Sequence, residues 1–337
     1  MGKQAKQALA ATLAAEEEAR KVAAAPYDPQ PADFNWVGPD AESREAIARP
    51  SISFWQDAMR RLFSGKTAVV CLVIIGLIAL MAVFQPLFSP FTMEEQHVAH
   101  SNAAMFTVCP DTGHTHIFGT DSLGRDLFTR AWSGARVSLA MALTAVVANC
   151  VIGLVYGGIS GYVGGALDNV MMRIVEIVNG IPYLILLIVM MMVMGRGVMS
   201  MVLAYIVVGW TGIARMTRGQ IVALKEQEFV VAAKAMGARP SRIIGKHLIP
   251  NLLSIVIVQI TMAIPNMIFN ESFLSFIGLG VPVPMASWGQ LANDGFSVFR
   301  MYPSQMMIPA VLICVTMLSF NLLGDALRDA FDPKLRR

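Results

Sequence analysis

The sequence has 337 residues, a formal net charge of +3, and a composition in which 55% of residues are hydrophobic and only 15% are charged. Soluble chains carry about a quarter charged residues, so the composition excludes an ordinary soluble protein and indicates an integral membrane protein. The basic residues lie at the ends of apolar segments and form no stripe, which excludes a nucleic-acid-binding surface.

The first fifty residues differ in composition from the rest of the chain. Residues 3–25 are rich in alanine and charged side chains and predict a helix, and a Pro-rich linker follows up to residue 50. No apolar segment precedes a cleavage site, so we do not interpret this region as a signal peptide. We predict that residues 1–50 form a solvated cytoplasmic segment.

Residues 51–66, SISFWQDAMRRLFSGK, predict a helix that lies in the membrane interface, with basic side chains that can reach lipid headgroups. The motif SGKT (64–67) resembles the end of a nucleotide-binding P-loop, but Arg60 stands where that motif requires glycine. We therefore predict no ATPase site. The apolar face of the predicted helix comprises Phe54, Trp55, Ala58, Met59, Leu62 and Phe63.

Six apolar segments are long enough to cross a bilayer, which predicts an all-α polytopic membrane protein. The third contains the sequence NGIPY, in which Gly180 and Pro182 are expected to break or kink the helix. The predicted spans are residues 67–89, 137–160, 174–195, 199–216, 251–277 and 305–325.

Lysine and arginine are concentrated before the first span, between the fourth and fifth spans and after the last span. The positive-inside rule then places both termini and the loop 225–250 in the cytoplasm. The loop 90–136 lies outside, although the arginines that it carries do not fit this rule. The predicted membrane core covers residues 137–325, and residues 326–337 form a cytoplasmic tail.

Charged residues close to the membrane are candidates for a structural or functional role. Arg173 and Glu176 are three residues apart and can pair on one helix face. Glu271 lies well inside an apolar run, either as a structural acid bonded to a neighbouring helix or as the proton-carrying group of an ion-coupled carrier. We favour the structural interpretation. Asp325 at the end of the last span is expected to anchor it.

The loop 90–136 carries four of the five histidines together with one cysteine. Imidazole and thiolate are ligands for zinc, copper or nickel, but the spacing is irregular and matches no standard zinc pattern. We therefore predict a polar loop with no metal site. The residues concerned are His97, His100, Cys109, His114 and His116.

The cytoplasmic loop contains the sequence EFVVAAKAMGARPSRIIGKHLIPN, which predicts two helices joined by a tight turn. Gly237 suits the position just after a helix, and Pro240 suits the start of the next one. Large apolar side chains and small residues alternate with basic ones along the first helix. Such a helix can dock in a groove of a partner protein or fold back onto the spans of its own chain, and the residues alone favour neither.

This loop resembles the EAA loop of ABC importer permeases, in which E-A-A is followed by G after three residues and by I-x-L-P after nine more. Val231 stands in the position of the Glu, and Glu228 offers a nearby acid. The residues that fall in register are Val231, Ala232, Ala233, Gly237, Leu248 and Pro250.

Other stretches resemble the C-type permease subunits of bacterial peptide and nickel importers, most closely oligopeptide permease C. They include FGTDSLGRDLFTRAWSGARVSL (118–139), DNVMMRIVEIVNGIPY (168–183), GWTGIARMTRGQ (209–220), ESFLSFIGLG (271–280), SWGQLANDG (287–295) and FNLLGDALRDAFDP (320–333). The resemblance covers residues 51–335.

The resemblance implies the six-helix, MetI-like fold of type I ABC importer permeases in the bacterial inner membrane. It implies a heterodimer with a second, homologous permease, two cytosolic ATPases, and an extracytoplasmic binding protein that delivers a peptide. The chain itself would have no catalytic residue and no cofactor, because ATP and Mg²⁺ bind to the ATPases. The expected ATPase-docking coupling helix includes Glu228, Phe229, Val231, Ala232, Ala233, Met236, Gly237 and Pro250.

Three other functions remain as alternatives. The first is a permease of the same class that carries dipeptides or nickel. The second is a self-sufficient, ion-coupled carrier that uses Glu271. The third is a membrane scaffold without a translocation path, which would bind ATPases and move no substrate.

Overall fold

The computed structural model describes residues 54–332 with the exception of residues 111 and 283. The predictions for residues 1–50, and the final residues of the predicted tail, lie outside the described residues. Within them the chain is mostly helical, and the sheet is a two-stranded antiparallel hairpin of β1 (Thr107–Val108) and β2 (Thr115–His116).

The described helices begin with α1 (Phe54–Ser64) and α2 (Lys66–Phe88), and a loop with a 3₁₀ turn (Val98–His100) and the hairpin follows. The others are α3 (Leu127–Val163), α4 (Gly165–Asn179), α5 (Tyr183–Met194), α6 (Val198–Gly209), α7 (Thr211–Leu224), α8 (Glu228–Ala235), α9 (Pro240–Leu279), α10 (Trp288–Ser297) and α11 (Pro303–Phe331). Helix α9 contains π-helical turns at Ile243–Leu248 and Ser275–Leu279.

The described residues provide the predicted number of spans. Five helical segments are long and apolar enough to cross a membrane, with α6 and α7 forming one of them, and the pair α4–α5 makes a sixth candidate. This pair is bent by 82° at the predicted break. Gly180 ends α4 and Pro182 precedes α5, where the missing N–H of proline removes no helical hydrogen bond. The all-α, polytopic fold and the break are both confirmed.

Helix α3 corrects the prediction that residues 90–136 form a loop. The helix begins at Leu127, because the carboxylate of Asp126 accepts a hydrogen bond from the Thr129 amide at 2.7 Å and caps the first turn. Arg130 and Arg136 suggested a loop by their charge. Instead Arg130 is buried, and Arg136 Nε donates to the Ala82 carbonyl of α2 at 2.8 Å.

Several other helices extend beyond the predicted spans. Helix α4 begins at Gly165, α7 continues to Leu224 and α11 continues to Phe331. The predicted boundary between core and tail at residues 325 and 326 therefore falls inside α11. Hydropathy detects the apolar centre of a span, whereas the helix continues through polar turns that remain hydrogen-bonded and bury one face.

The predicted interfacial segment forms helix α1, and part of its apolar face is buried by α11. Ala58 and Leu62 are buried, and the ring of Phe54 stacks on Phe331 with ring centres 6.0 Å apart. Trp55, Met59 and Phe63 stay exposed. The helix is thus fastened to the end of the last span, and its remaining apolar side chains are free to contact lipid.

A seam of small residues joins α3 to α7 at the centre of the fold. Gly153, Gly157 and Gly161 recur every four residues along one face of α3, a spacing that lets two helix backbones approach closely. A Cβ at Gly153 would lie 2.7 Å from the Ile213 side chain, and one at Gly161 would lie 2.8 Å from the Arg218 carbonyl oxygen. The two helices are therefore in close backbone contact along this seam.

Candidate functional site

Helix α8, in the loop 225–250, has the end that the sequence predicts. The Gly237 amide donates to the Lys234 carbonyl at 2.9 Å, and the Ala238 amide donates to the Ala233 carbonyl at 3.1 Å, which together form a Schellman motif. Gly237 has a φ of +76°, which residues with a side chain rarely adopt. Pro240 then opens α9. The helix, the glycine stop and the proline start are confirmed.

One face of α8 packs against the body of the protein. Val230 and Ala233 are buried in an apolar cluster with Ile221 of α7 and with Ile243 and Leu248 of α9. Burial of these side chains removes apolar area from water and holds the helix in one orientation. The position of α8 is therefore tied to α7 and to the first turns of α9.

The opposite face of α8 is apolar and exposed. Phe229 is 42% exposed, Val231 is 53% exposed and Met236 is 82% exposed. Glu228 and Ala232 are exposed beside them. The two interpretations that the sequence left open thus each describe one face, since the helix folds back on its own spans and still presents an apolar surface.

Two further residues of the predicted docking set lie at the ends of this region. Gly237 is exposed at the tip of the turn. Pro250 is exposed on α9, whereas its neighbour Leu248 belongs to the buried cluster beneath α8. The buried Ala233 supports the exposed face from behind and is not part of it.

Glu271 lies fully buried among three helices. Its Oε2 accepts a hydrogen bond from Ser138 Oγ of α3 at 2.8 Å, and its Oε1 accepts one from Ser275 Oγ at 2.8 Å. Ser138 Oγ also accepts from the Trp288 amide of α10 at 3.3 Å, and Ser287 Oγ donates to Ser275 Oγ at 3.3 Å. The carboxyl group thus joins α3, α9 and the start of α10, and these contacts favour the structural interpretation.

Replacing Glu271 by glutamine is expected to leave most transport activity intact. The amide oxygen can accept from one serine, and the loss of the other bond costs about 1 kcal/mol of folding free energy. Substrate uptake by cells that express the variant as the sole copy measures this. Loss of uptake in a variant that still accumulates at wild-type level in the membrane would favour the ion-coupled carrier, which needs a titrating acid.

The other predicted charged residues are exposed. Arg173 Nη1 donates to Glu176 Oε2 at 2.7 Å on the surface of α4, so the predicted pair forms. Asp325 is exposed on α11, where it lines a cleft together with Arg61 of α1. Exposed pairs of this kind stabilise a fold by less than about 1 kcal/mol.

A charged network at the start of α3 was missed by the sequence analysis. Asp121 Oδ2 lies 2.7 Å from Arg125 Nε and 3.5 Å from Arg130 Nε. Asp294 Oδ2 of α10 lies 3.6 Å from Arg130 Nη2 and 3.9 Å from Arg125 Nη2. Burial raises the pKa of Asp294, while a hydrogen bond from Gln290 and the two guanidinium groups oppose that rise. The sequence offered one indication of this network, because these arginines do not fit the positive-inside rule.

The histidine-rich loop packs as a polar loop. His116 is buried, stacks on Phe91 with ring centres 4.4 Å apart, and has Nδ1 2.8 Å from Asp126 Oδ1. Cys109 is also buried. Among residues 54–332 as described, no three His, Cys, Asp or Glu side chains are placed to hold a metal ion.

A second charged pair, which lies near the last turn of α3, was also not predicted from the sequence. Arg218 of α7 makes a bidentate pair with Asp168 in the first turn of α4. Both residues lie in stretches that carry the family resemblance, DNVMMRIVEIVNGIPY and GWTGIARMTRGQ. Their separation along the chain gives no indication that the two side chains meet.

A bundle of apolar spans with a broken helix, buried charge networks and an apolar helix held on a loop defines a multi-pass membrane protein. A family model described as "Binding-protein-dependent transport system inner membrane component" matches residues 151–337. A second, described as "N-terminal TM domain of oligopeptide transport permease C", matches residues 53–104. The chain belongs to the family of binding-protein-dependent inner membrane transport components.

Curated relatives cover nearly the whole chain. The oligopeptide transport system permease protein OppC of Bacillus subtilis is 43% identical over 90% of this chain and 97% of its own length. The dipeptide transport system permease protein DppC of the same organism is 46% identical over 88% of this chain and 91% of its own. An inward-facing structure of the MetNI methionine ABC transporter matches 58% of this chain and 94% of its own, with a TM-score of 0.48 and 23% identity.

Proposed function

We propose that this chain is the transmembrane permease subunit of an ATP-driven importer of oligopeptides, and that α8 is its coupling helix. The observation that carries the proposal is the exposed apolar face of α8, which is held rigidly on the body of the protein by its buried face. An exposed apolar surface of this kind marks a protein interface. The permease relatives that cover nearly the whole chain support the same assignment.

The proposed complex contains a second permease of the same family, two cytosolic ATPases and an extracytoplasmic peptide-binding protein. ATP and Mg²⁺ bind to the ATPases, each of which receives one coupling helix in a surface cleft. ATP-driven closure of the ATPases moves the coupling helices and switches the path between inward-facing and outward-facing states. The chain contributes binding surfaces and a moving body, and no covalent chemistry.

The proposed orientation has both termini in the cytoplasm. It is supported by the basic residues around α8, including Lys225, Lys234 and Arg239, which the positive-inside rule assigns to the cytoplasmic side. Lys234 Nζ lies 5.4 Å from the centre of the Tyr162 ring near the end of α3. The C-terminal ends of α3 and α7 therefore lie on the same side of the membrane as α8.

Oligopeptides are the proposed cargo, with dipeptides as the alternative that the relatives' names leave open and nickel as the more distant one. The ion-coupled carrier is disfavoured, because the acid that it would need is bonded to serines of two helices. Ligand binding by the partner binding protein, tested with peptides of graded length and with Ni²⁺, would identify the cargo.

The experiment that tests the proposal changes the exposed face of α8 without touching the buried one. A Met236→Asp variant is expected to lose co-purification of the ATPases in detergent and peptide uptake in cells, because aspartate cannot enter an apolar cleft at low cost. The affinity for the ATPases should fall at least about tenfold, as for the loss of an interface hot spot.

The matched control is Met301→Asp, at a methionine that is 78% exposed just before α11, at the end of that helix where Gln305 donates to Asn102 of the preceding loop. It should retain the ATPases, because this end lies on the other side of the membrane. Retention of the ATPases and of uptake by Met236→Asp would contradict the proposed role of α8.

A further inference from the structure

Helix α4 is held by a charged clamp at its first turn. Arg218 Nε lies 2.8 Å from Asp168 Oδ1 and 3.1 Å from Oδ2, and Arg218 Nη2 lies 2.6 Å from Oδ2. Ser160 Oγ in the last turn of α3 donates to Asp168 Oδ1. The guanidinium group matches the carboxylate with two parallel hydrogen bonds, an arrangement that sets direction as well as distance.

The same corner is tied to the start of the α8 loop. Lys225 Nζ, directly after α7, donates to the Gly161 carbonyl of α3 at 3.0 Å. Gly164 and Gly165, which join α3 to α4, have φ values of +70° and +63° and form a sharp turn. The turn between α3 and α4 is thus held in place by contacts from α7 and from Lys225, the first residue after α7.

Helix α7 also holds the far end of α4. Thr211 Oγ1 at the start of α7 donates to Asn179 Oδ1 in the last turn of α4 at 3.1 Å. The two helices run antiparallel, with one polar tie at each end of α4. Between the ties, α4 has few apolar anchors, because Asp168 and Val175 are its buried residues in the described structure. The orientation of α4 therefore depends strongly on the polar ties.

The connection from α8 to α7 is short and hydrogen-bonded. Only residues 225–227 separate the two helices, and the Gln227 amide donates to the Leu224 carbonyl at 3.1 Å. Val230 and Ala233 of α8 pack in one cluster with Ile213 and Ile221 of α7. A displacement of α8 thus carries α7, and α7 carries both attachment points of α4.

We infer that Asp168 and Arg218 are positioning residues that transmit the movement of the coupling helix to the bent α4–α5 span. The inference rests on the proposed function. The Asp168–Arg218 pair makes α4 move together with α7. The movement of α4 then reaches α5 across the 82° break between them. Without the Asp168–Arg218 pair, α8 and α7 still dock and move with the ATPases, but α4 follows α7 only through the single bond between Thr211 and Asn179.

The test measures the coupling of transport to ATP hydrolysis in the complete complex reconstituted in vesicles. Asp168→Asn and Arg218→Lys are expected to hydrolyse ATP at close to the wild-type rate. Peptide taken up per ATP should fall about tenfold, within the usual range of coupling between two sites. The exchanged pair, Asp168→Arg with Arg218→Asp, should restore part of the ratio.

The matched control is the exposed pair on the same helix, Arg173→Gln with Glu176→Gln, which should leave the ratio unchanged. A purely structural clamp would lower the yield of folded complex and leave peptide uptake per ATP unchanged. That result for Asp168→Asn would overturn the inference.

A second readout does not depend on the cargo. Spin labels at exposed positions 170 and 223, on α4 and α7, in a Cys314→Ser background, should give one narrow distance distribution with and without ATP. In Asp168→Asn the distribution should broaden, and an equally narrow one would contradict the clamp. If wild-type vesicles hydrolyse ATP and import no peptide, the proposed function fails while this distance measurement still decides the inference.

Discussion

A Gly157→Ala variant is expected to unfold at a clearly lower temperature than the wild-type protein, with a loss of about 3 kcal/mol in folding free energy. A Cβ at this position would lie far inside the contact distance of the Ala214 carbonyl oxygen and 2.9 Å from the Thr217 Cβ. A backbone atom cannot rotate away, so α3 and α7 would have to separate along the glycine seam. Thermal unfolding of the purified protein in detergent measures the loss.

The matched control is Gly212→Ala on α7. No neighbouring atom lies within 4 Å of a Cβ built at Gly212. Alanine there should stabilise the helix by up to about 1 kcal/mol, because glycine is the weaker helix former. Equal unfolding temperatures for the two variants would show that α3 and α7 are not in close backbone contact.

The second large effect is expected for Arg130→Met. The variant leaves Asp121 and Asp294 with one guanidinium group fewer, in a site where Arg130 itself is fully buried. Removing one partner of a buried charged network costs about 3–5 kcal/mol. The unfolding midpoint in detergent at pH 7 measures this, and Arg300→Met, at an exposed arginine, is the control and should change little.

The loss in Arg130→Met should shrink as the pH falls. Burial raises the pKa of Asp294 in the folded protein, and loss of a neighbouring cation raises it further. A carboxyl group with a raised pKa binds its proton more tightly when folded, so folding is favoured below that pKa and disfavoured above it. The difference from wild type should therefore be larger at pH 7 than at about pH 5. A difference that grows on acidification would contradict this assignment.

The two charged networks lie at opposite ends of α3 and fasten different partners. At its first turns, Arg130 connects α3 to the preceding loop and to α10. At its last turns, Ser160 donates a hydrogen bond to Asp168 of α4, and the Gly161 carbonyl accepts one from Lys225, the residue after α7. The glycine seam lies between them. Helix α3 is thus attached to the preceding loop and α10 at one end and to α4 and α7 at the other.

The local features of the fold were predictable from the sequence. Long apolar windows identify the spans, because the bilayer requires about 20 apolar residues in a row. The break at Gly180 and Pro182, and the stop and start at Gly237 and Pro240, were equally accessible, because backbone restrictions of glycine and proline act within a few residues. All of these predictions agree with the structure.

The candidate site was only half predictable. The sequence indicated that α8 has apolar side chains in an unusual place, and it could not decide whether they face a partner or the protein itself. The structure divides them, since Val230 packs inward and Val231, its immediate neighbour, is exposed. Helical geometry separates adjacent residues by about 100°, so the division depends on how the whole helix is rotated.

The sequence by itself determined the number of spans, the broken third span, the membrane class and the existence of the loop helix. These depend on hydropathy over one helix length and on backbone chemistry within one turn. Only the tertiary structure decided that Glu271 meets Ser138, that Arg218 meets Asp168 and that Arg130 is buried beside Asp294. Such pairs join helices far apart along the chain, and the rotation of each helix is set by packing against all its neighbours at once.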